Sequence, residues 1–333
     1  MRILVATRER AVFDVFNDVQ ASMDTEVIPI LDTGQIYEAI PEVQVAVVDY
    51  DDLIEDPFSV ECVRRLLSEA PLEHYTSDEF LVSPEACLRE ARPTGGQPFE
   101  LPSKRTIAFT SYSGGTGKTS LALDTALRFA SQTEARLPLP AAVVEFTYGA
   151  SALKALVTED QVTLDQLVLQ PEFRPYEFRG VTLYPMDYDP IRELSVEQIR
   201  RCLRQQISSH VLTVIDTIWP HGLASAIGEE VDLWIVLGTP RIDAMENARR
   251  LYGELGARYG EQKTLLAINK MSGLGASLAL MGMHRDLELP VIQNAEVFFE
   301  GRLGKEVLDS IYGSLWREYE RAGRRRWRLF AGR

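Results

Sequence analysis

The chain has 333 residues, 45% of them hydrophobic and 25% charged, and a formal net charge of −14. This length and composition suit a globular protein of two domains, with no apolar run near the ~20 residues of a membrane span. The acidic balance opposes broad non-specific DNA binding, and three separated cysteines (Cys62, Cys87, Cys202) offer neither a disulfide framework nor a metal-ligand pair and suit a reducing cytoplasm.

The first ten residues, Met-Arg-Ile-Leu-Val-Ala-Thr-Arg-Glu-Arg, become charged too soon for a secretory signal. Residues 3–6, 26–30 and 44–48 read as short buried strands, with helix-like stretches at 9–20, 34–40 and 58–69. A fourth strand at 80–82 and a helix at 84–91 complete a first unit. Strands alternating with helices predict a parallel α/β sheet. The order, the size and the acidic Asp49 after the third strand resemble a response-regulator receiver domain, which is flavodoxin-like in fold. Such a domain holds Mg²⁺ on an acidic pair just after strand one. Here that place reads Ala6-Thr7-Arg8, and an arginine repels a metal. Residues 1–91 are therefore expected to be a degenerate receiver-like domain serving docking or dimerisation, with Asp49, Asp51 and Asp52 in a solvated loop. Residues 92–104 contain three prolines and two glycines, a linker composition.

From 105 to 322 a second domain is predicted. Apolar, β-branched runs recur at 106–110, 141–146, 181–184, 211–215, 232–237 and 264–268, with helical stretches at 118–131, 195–206, 243–259 and 303–320. The helix at 195 opens on Ser195-Val-Glu-Gln198, a capping box. Near-continuous apolar strands between helices predict a mostly parallel sheet covered on both faces, with ligands beyond the carboxyl ends of its strands. At that end of the first strand lies Gly114-Gly115-Thr116-Gly117-Lys118-Thr119-Ser120. Glycines there let successive backbone N–H groups converge on a polyphosphate. Lys118 adds a point charge for the β/γ oxygens, and the Thr119 hydroxyl suits Mg²⁺. The standard phosphate-loop pattern has glycine at 112, where this chain has Tyr112.

The segment Tyr-Ser-Gly-Gly-Thr-Gly-Lys-Thr-Ser resembles the deviant Walker A loop of ParA/MinD-type ATPases, members of the SIMIBI class of P-loop NTPases. With a degenerate receiver-like domain in front, the whole chain resembles the CpaE/TadZ branch that serves Tad (Flp) pilus assembly. The resemblance implies ATP and Mg²⁺ as ligands. It places Mg²⁺ on Thr119 and, through water, on Asp216 at the end of the Walker B strand Val211–Asp216. It assigns adenine contact to Asn269 and maps the family's Asp-x-Asp onto Glu145-Phe146-Thr147. Lys118 and Asp216 become the catalytic candidates, with Glu145 and Thr147 beside them. Two departures stand out. The family's first lysine, which reaches a dimer partner's phosphates, is Ser113 here, and the second aspartate, which orients water, is Thr147. Losing a well-placed charge or donor of this kind removes ~3 kcal/mol of transition-state stabilisation. Lys154 and Arg241 are candidate replacements for the missing cation, entering a dimer in trans, and Glu145 for the missing carboxylate.

Residues 317–333 hold seven arginines against two glutamates. In the tail 323–333 the basic residues alternate with Trp327, Leu329 and Phe330, a pattern suited to an anionic membrane surface or to an acidic protein face. Upstream, Val307, Leu308, Ile311, Leu315 and Tyr319 form a helical apolar stripe. The resulting expectation is a dimerising ATP-binding switch with slow or absent hydrolysis, which localises or recruits a pilus-assembly machine. It is cytoplasmic, with a peripheral place on the inner face of the cell membrane or at a pole. The other readings are a positioner of septum, flagella or microcompartments, a DNA-bound partition ATPase, which the charge opposes, and a non-catalytic scaffold.

Overall fold

Short β-branched runs build the sheet of the first unit, Met1–Leu101, and a longer series builds that of the second, Pro102–Arg333. The computed structural model describes residues 1–20, 25–54, 58–90, 101–134, 137–158, 160–271, 284–291, 302–317 and 319. Residues 92–100 of the expected linker and the basic tail 323–333 lie outside them.

Among the described residues the first unit has strands β1 (Arg2–Ala6), β2 (Glu26–Pro29), β3 (Val45–Val48) and β4 (Glu73–Tyr75), all parallel, in the order β2-β1-β3-β4. Ile3, Val5, Val45 and Val47 are fully buried, as continuous apolar runs in a covered parallel sheet must be. The helix Arg10–Gln20 turns Val12 and Phe16 into the same core, where Phe16 stacks on Phe80 at 4.8 Å between centroids. This contact corrects the expected strand at 80–82. Those residues finish a helix, Ser77–Val82, and the fourth strand lies earlier, at Glu73–Tyr75. A capping box decides the matter: Thr76 and Glu79 satisfy each other's backbone N–H groups, and only Phe80 need be buried. Asp52 is not simply solvated. It accepts from Thr7 Oγ1 at 3.0 Å and from the Arg8 N–H at 2.6 Å, so the segment after β1 is tied to a carboxylate of the segment after β3.

The second sheet comprises β5 (Arg105–Ser111), β6 (Ala141–Phe146), β7 (Tyr176–Phe178), β8 (Val181–Tyr184), β9 (Leu212–Ile218), β10 (Leu233–Gly238), β11 (Thr264–Met271) and β12 (Leu287–Pro290). Among the described residues their order is β12-β11-β10-β5-β9-β6-β8-β7, parallel except for the β7–β8 hairpin. Every strand expected from an apolar run is present. The two additional ones, β7 and β12, lie at the edges of this order, where among the described residues each has one neighbour and a long apolar run is not required. The hairpin turns through Arg179 and Gly180, both at positive φ (51° and 77°), as a two-residue primed turn demands. Helices at Lys118–Glu134, Val196–Ser208 and Ile242–Tyr259 flank the sheet. The expected Ser195/Gln198 capping box opens the second of these.

The helix Arg302–Tyr312 packs on the helix Lys118–Glu134. Val307, Leu308 and Tyr319 of the expected stripe are buried, and Ile311 and Leu315 are half-buried. Trp316 joins them, stacked on Phe129 at 5.6 Å. No helix of the described residues is long and apolar enough to cross a membrane.

Candidate functional site

β5 lies in the middle of the second sheet, between β9 and β10, and its carboxyl end opens directly into the glycine loop and the helix beginning at Lys118. Gly115 and Gly117 hold φ of +72° and +91°, where a side chain is strained. At Gly117 space forbids one as well, since a Cβ would come within 2.5 Å of Asn269 Nδ2. Gly114 and Gly115 instead face open space, with nothing within 4 Å of an added Cβ. Thr116 is buried, its hydroxyl 3.2 Å from Ser111 Oγ.

Lys118 folds its ammonium back onto its own loop. Nζ donates to Ser111 Oγ at 2.9 Å and to the Ser113 carbonyl at 3.1 Å. Burial lowers the pKa of this amine, and Asp216 opposes the shift. Thr119 Oγ1 donates to the Asp216 carboxylate. β5 and β9 are paired with Phe109 opposite Asp216, which carries Asp216 to the foot of the loop. Asp216 is buried. Burial raises its pKa, while the Thr119 hydrogen bond and Lys118 lower it. Ser120 follows, half-buried, in the first turn of the helix.

Asn269, on β11, is buried and also reaches the loop. Its Nδ2 donates to the Thr116 carbonyl at 2.8 Å, and its Oδ1 accepts the Lys270 N–H at 2.8 Å. The residue expected to touch adenine thus braces the glycine loop. Lys270, to which the sequence reading gave no part, donates from Nζ to the Gly115 carbonyl at 2.7 Å.

Glu145 lies opposite Asp216 in the β6–β9 register and is buried. It accepts from Ser151 Oγ, from the Ala152 N–H at 2.8 Å and from the Met186 N–H at 3.5 Å. Thr147 Oγ1 accepts from the Gly149 N–H at 3.3 Å, and the Thr147 carbonyl is 3.4 Å from His221 Nε2. Both candidate replacement cations have an ion pair within their own chain. Lys154 is paired with Asp187 at 2.9 Å, and Arg241 with Asp243 at 3.0 Å in its own helix cap. Tyr112, the departure from glycine, has a definite place: its hydroxyl donates to Glu254, which also accepts from Trp219 Nε1 at 2.7 Å. One carboxylate on the helix Ile242–Tyr259 therefore ties the loop to the segment after β9. Tyr148, after β6, reaches the same segment, donating to the Pro220 carbonyl at 2.7 Å.

A polyphosphate with a divalent cation fits these groups. The loop has the backbone shape for converging N–H groups, with open space before Gly114 and Gly115. A desolvated lysine gains by meeting an anion, and a buried carboxylate hydrogen-bonded to a hydroxyl gains by meeting a cation.

Glu145 makes the stability of the fold depend on pH. Burial is the main cause of its elevation from 4.5 to about 7, with Asp216 adding repulsion and the Ser151, Ala152 and Met186 hydrogen bonds opposing. The folded state therefore holds this proton more tightly than the unfolded chain. The contribution of Glu145 to stability is greatest below about 4.5 and is lost as pH rises through about 7. The span corresponds to on the order of 3 kcal/mol. Glu145→Gln, which cannot ionise, is expected to melt above wild type at pH 8, with the gap closing towards pH 4.5. Thermal melts across that range check it, and a gap independent of pH would contradict it.

No protein-family model and no curated protein matches the sequence. Solved structures are similar in fold. One is a ParA family ATPase from Chlorobium tepidum TLS, at 16% identity over 63% of this chain and 93% of that one, with a TM-score of 0.47. Another is the septum site-determining protein MinD from Pyrococcus horikoshii OT3, complexed with Mg-ADP, at 15% identity over 66% and 94%, TM-score 0.48. A third is a plasmid partition protein from Borrelia burgdorferi, at 14% identity over 62% and 99%, TM-score 0.49. The roles of the residues above rest on this chain's own geometry.

Proposed function

We propose that the second unit binds ATP with Mg²⁺ and acts as a nucleotide switch of the ParA/MinD type. The observation that carries this reading is the union of Lys118, Thr119 and Asp216 at the carboxyl ends of two adjacent strands, below a loop whose glycines require positive φ. The N–H groups of Gly114–Ser120 would hold the phosphates and Lys118 their charge. Thr119 and, through water, Asp216 would hold Mg²⁺. The ion's part is to neutralise the charge that develops on the phosphate oxygens. Ser113 brings no cation and Thr147 no carboxylate, so the chain retains groups for holding ATP and lacks two for cleaving it. Bound nucleotide then acts by favouring one conformation, a homodimer, because a ligand shifts only states it distinguishes.

In this reading the chain resembles the CpaE/TadZ branch, and the dimer localises or recruits a pilus-assembly machine. The unit before residue 92 serves as a docking domain, and the tail 323–333 rests on the anionic inner face of the membrane. Light scattering on the size-exclusion peak, with and without ATP and Mg²⁺, tests the switch. The expected result is a shift from one chain to two without turnover at the roughly 1–100 s⁻¹ typical of kinases. Binding without a change of mass would discard the switch, and turnover in that range would discard the roles given to Ser113 and Thr147.

A further inference from the structure

Among the described residues, Arg179 and Lys270 are the two non-glycine residues at positive φ. The hairpin turn accounts for Arg179. Lys270, at φ 63°, sits inside β11 where the pairing with β12 shifts register between Ile268 and Met271. A bulge of this kind re-aims side chains beside sites, and a lysine in the left-handed region is strained and persists there only where its surroundings require it. Here Lys270 Nζ is brought to the Gly115 carbonyl at 2.7 Å, while its neighbour Asn269 holds the next carbonyl, Thr116 O, at 2.8 Å. In a planar trans peptide the carbonyl and the following N–H point opposite ways. Fixing Gly115 O therefore aims the Thr116 N–H, and fixing Thr116 O aims the Gly117 N–H. Two consecutive residues of β11 thus set two consecutive donors of the phosphate loop. Lys270 is also an exposed cation at a loop where Ser113 supplies none.

We propose that Lys270 is a positioning residue of the nucleotide site: from the same chain, it orients the Thr116 N–H for a phosphate oxygen and supplies the loop with a second positive charge. This rests on the nucleotide reading above. Titration calorimetry of the full chain with MgATP tests it, on wild type and on Lys270→Met, Lys270→Arg and Lys270→Gly, with melting temperatures taken without nucleotide. Lys270→Met is expected to bind about tenfold more weakly, the scale of one hydrogen bond to a charged group. Lys270→Arg is expected to stay within about threefold of wild type, because it keeps both charge and donor. Lys270→Gly, free of strain at this φ, should lose affinity as the methionine variant does and yet melt no lower than wild type. Equal affinity in wild type and Lys270→Met overturns the assignment. So does a joint fall in affinity and melting temperature in all three variants, the mark of a merely structural residue. Failure of wild type to bind MgATP is a separate result, which overturns the nucleotide reading and this assignment with it.

Discussion

Lys118→Ala is expected to weaken MgATP binding by about 100-fold or more, roughly 3 kcal/mol, the upper range for a hydrogen bond to a charged group. The effect should be large because Lys118 is half-buried and, among the described residues, its ammonium donates to Ser111 Oγ and the Ser113 carbonyl. Burial lowers its pKa, so its positive form is under-compensated until an anion arrives. Alanine leaves the loop's N–H groups in place and removes the charge. Arginine should not restore binding, because its planar guanidinium does not fit a place shaped for a point charge beside Ser111. Calorimetry decides between outcomes: a loss below about tenfold would mean that phosphates do not meet Lys118, and the site would need another occupant.

The second large effect concerns stability. Asp124 lies on the helix Lys118–Glu134 with no exposed surface. Its Oδ2 accepts from the Leu303 N–H at 2.8 Å and the Gly304 N–H at 3.0 Å. A carboxylate from one helix thereby caps the positive end of another, Arg302–Tyr312, and satisfies two N–H groups with no partner in their own helix. The helices meet so closely that a Cβ on Gly304 would lie 2.6 Å from Thr125 Cα. Asp124→Ala strands both donors in a buried place and is expected to cost about 3 kcal/mol. For a unit of this size that is a fall of about 10 °C in melting temperature. Asp124→Asn, which keeps one acceptor, should fall by about half as much. A melting temperature within about 2 °C of wild type in the alanine variant would show that the cap contributes little.

The same pair of helices shows where sequence reading stops. The stripe Val307, Leu308 and Tyr319 was legible from its spacing, because helical burial repeats along the chain itself. Asp124 was not, because its partners lie 179 and 180 residues away and a lone aspartate in a helix has no local signature. The strand misplaced at 80–82 has a related cause. Phe80-Leu81-Val82 is apolar enough for a strand, but Thr76 and Glu79 start a helix, and Val82 is left 85% exposed. There the capping box was the stronger local signal.

In the candidate site, the glycine loop, Lys118, Thr119 and the strand that carries Asp216 were all legible. Each is a short pattern of residue types: glycines where φ must be positive, and apolar runs where a parallel strand is covered on both sides. The sequence by itself determined those local conformations, along with the α/β alternation and the absence of a cation at 113. Only the tertiary structure decided which distant groups meet the loop. Strand order places β9 and β10 beside β5, and β11 beyond β10. That order brings Asp216 to Thr119 across 97 residues, Asn269 to Thr116 across 153 and Lys270 to Gly115 across 155. It also pairs Lys154 with Asp187 and Arg241 with Asp243. The physical reason is that backbone conformation follows from near neighbours and burial, whereas a charged side chain takes the best partner that folding brings within reach.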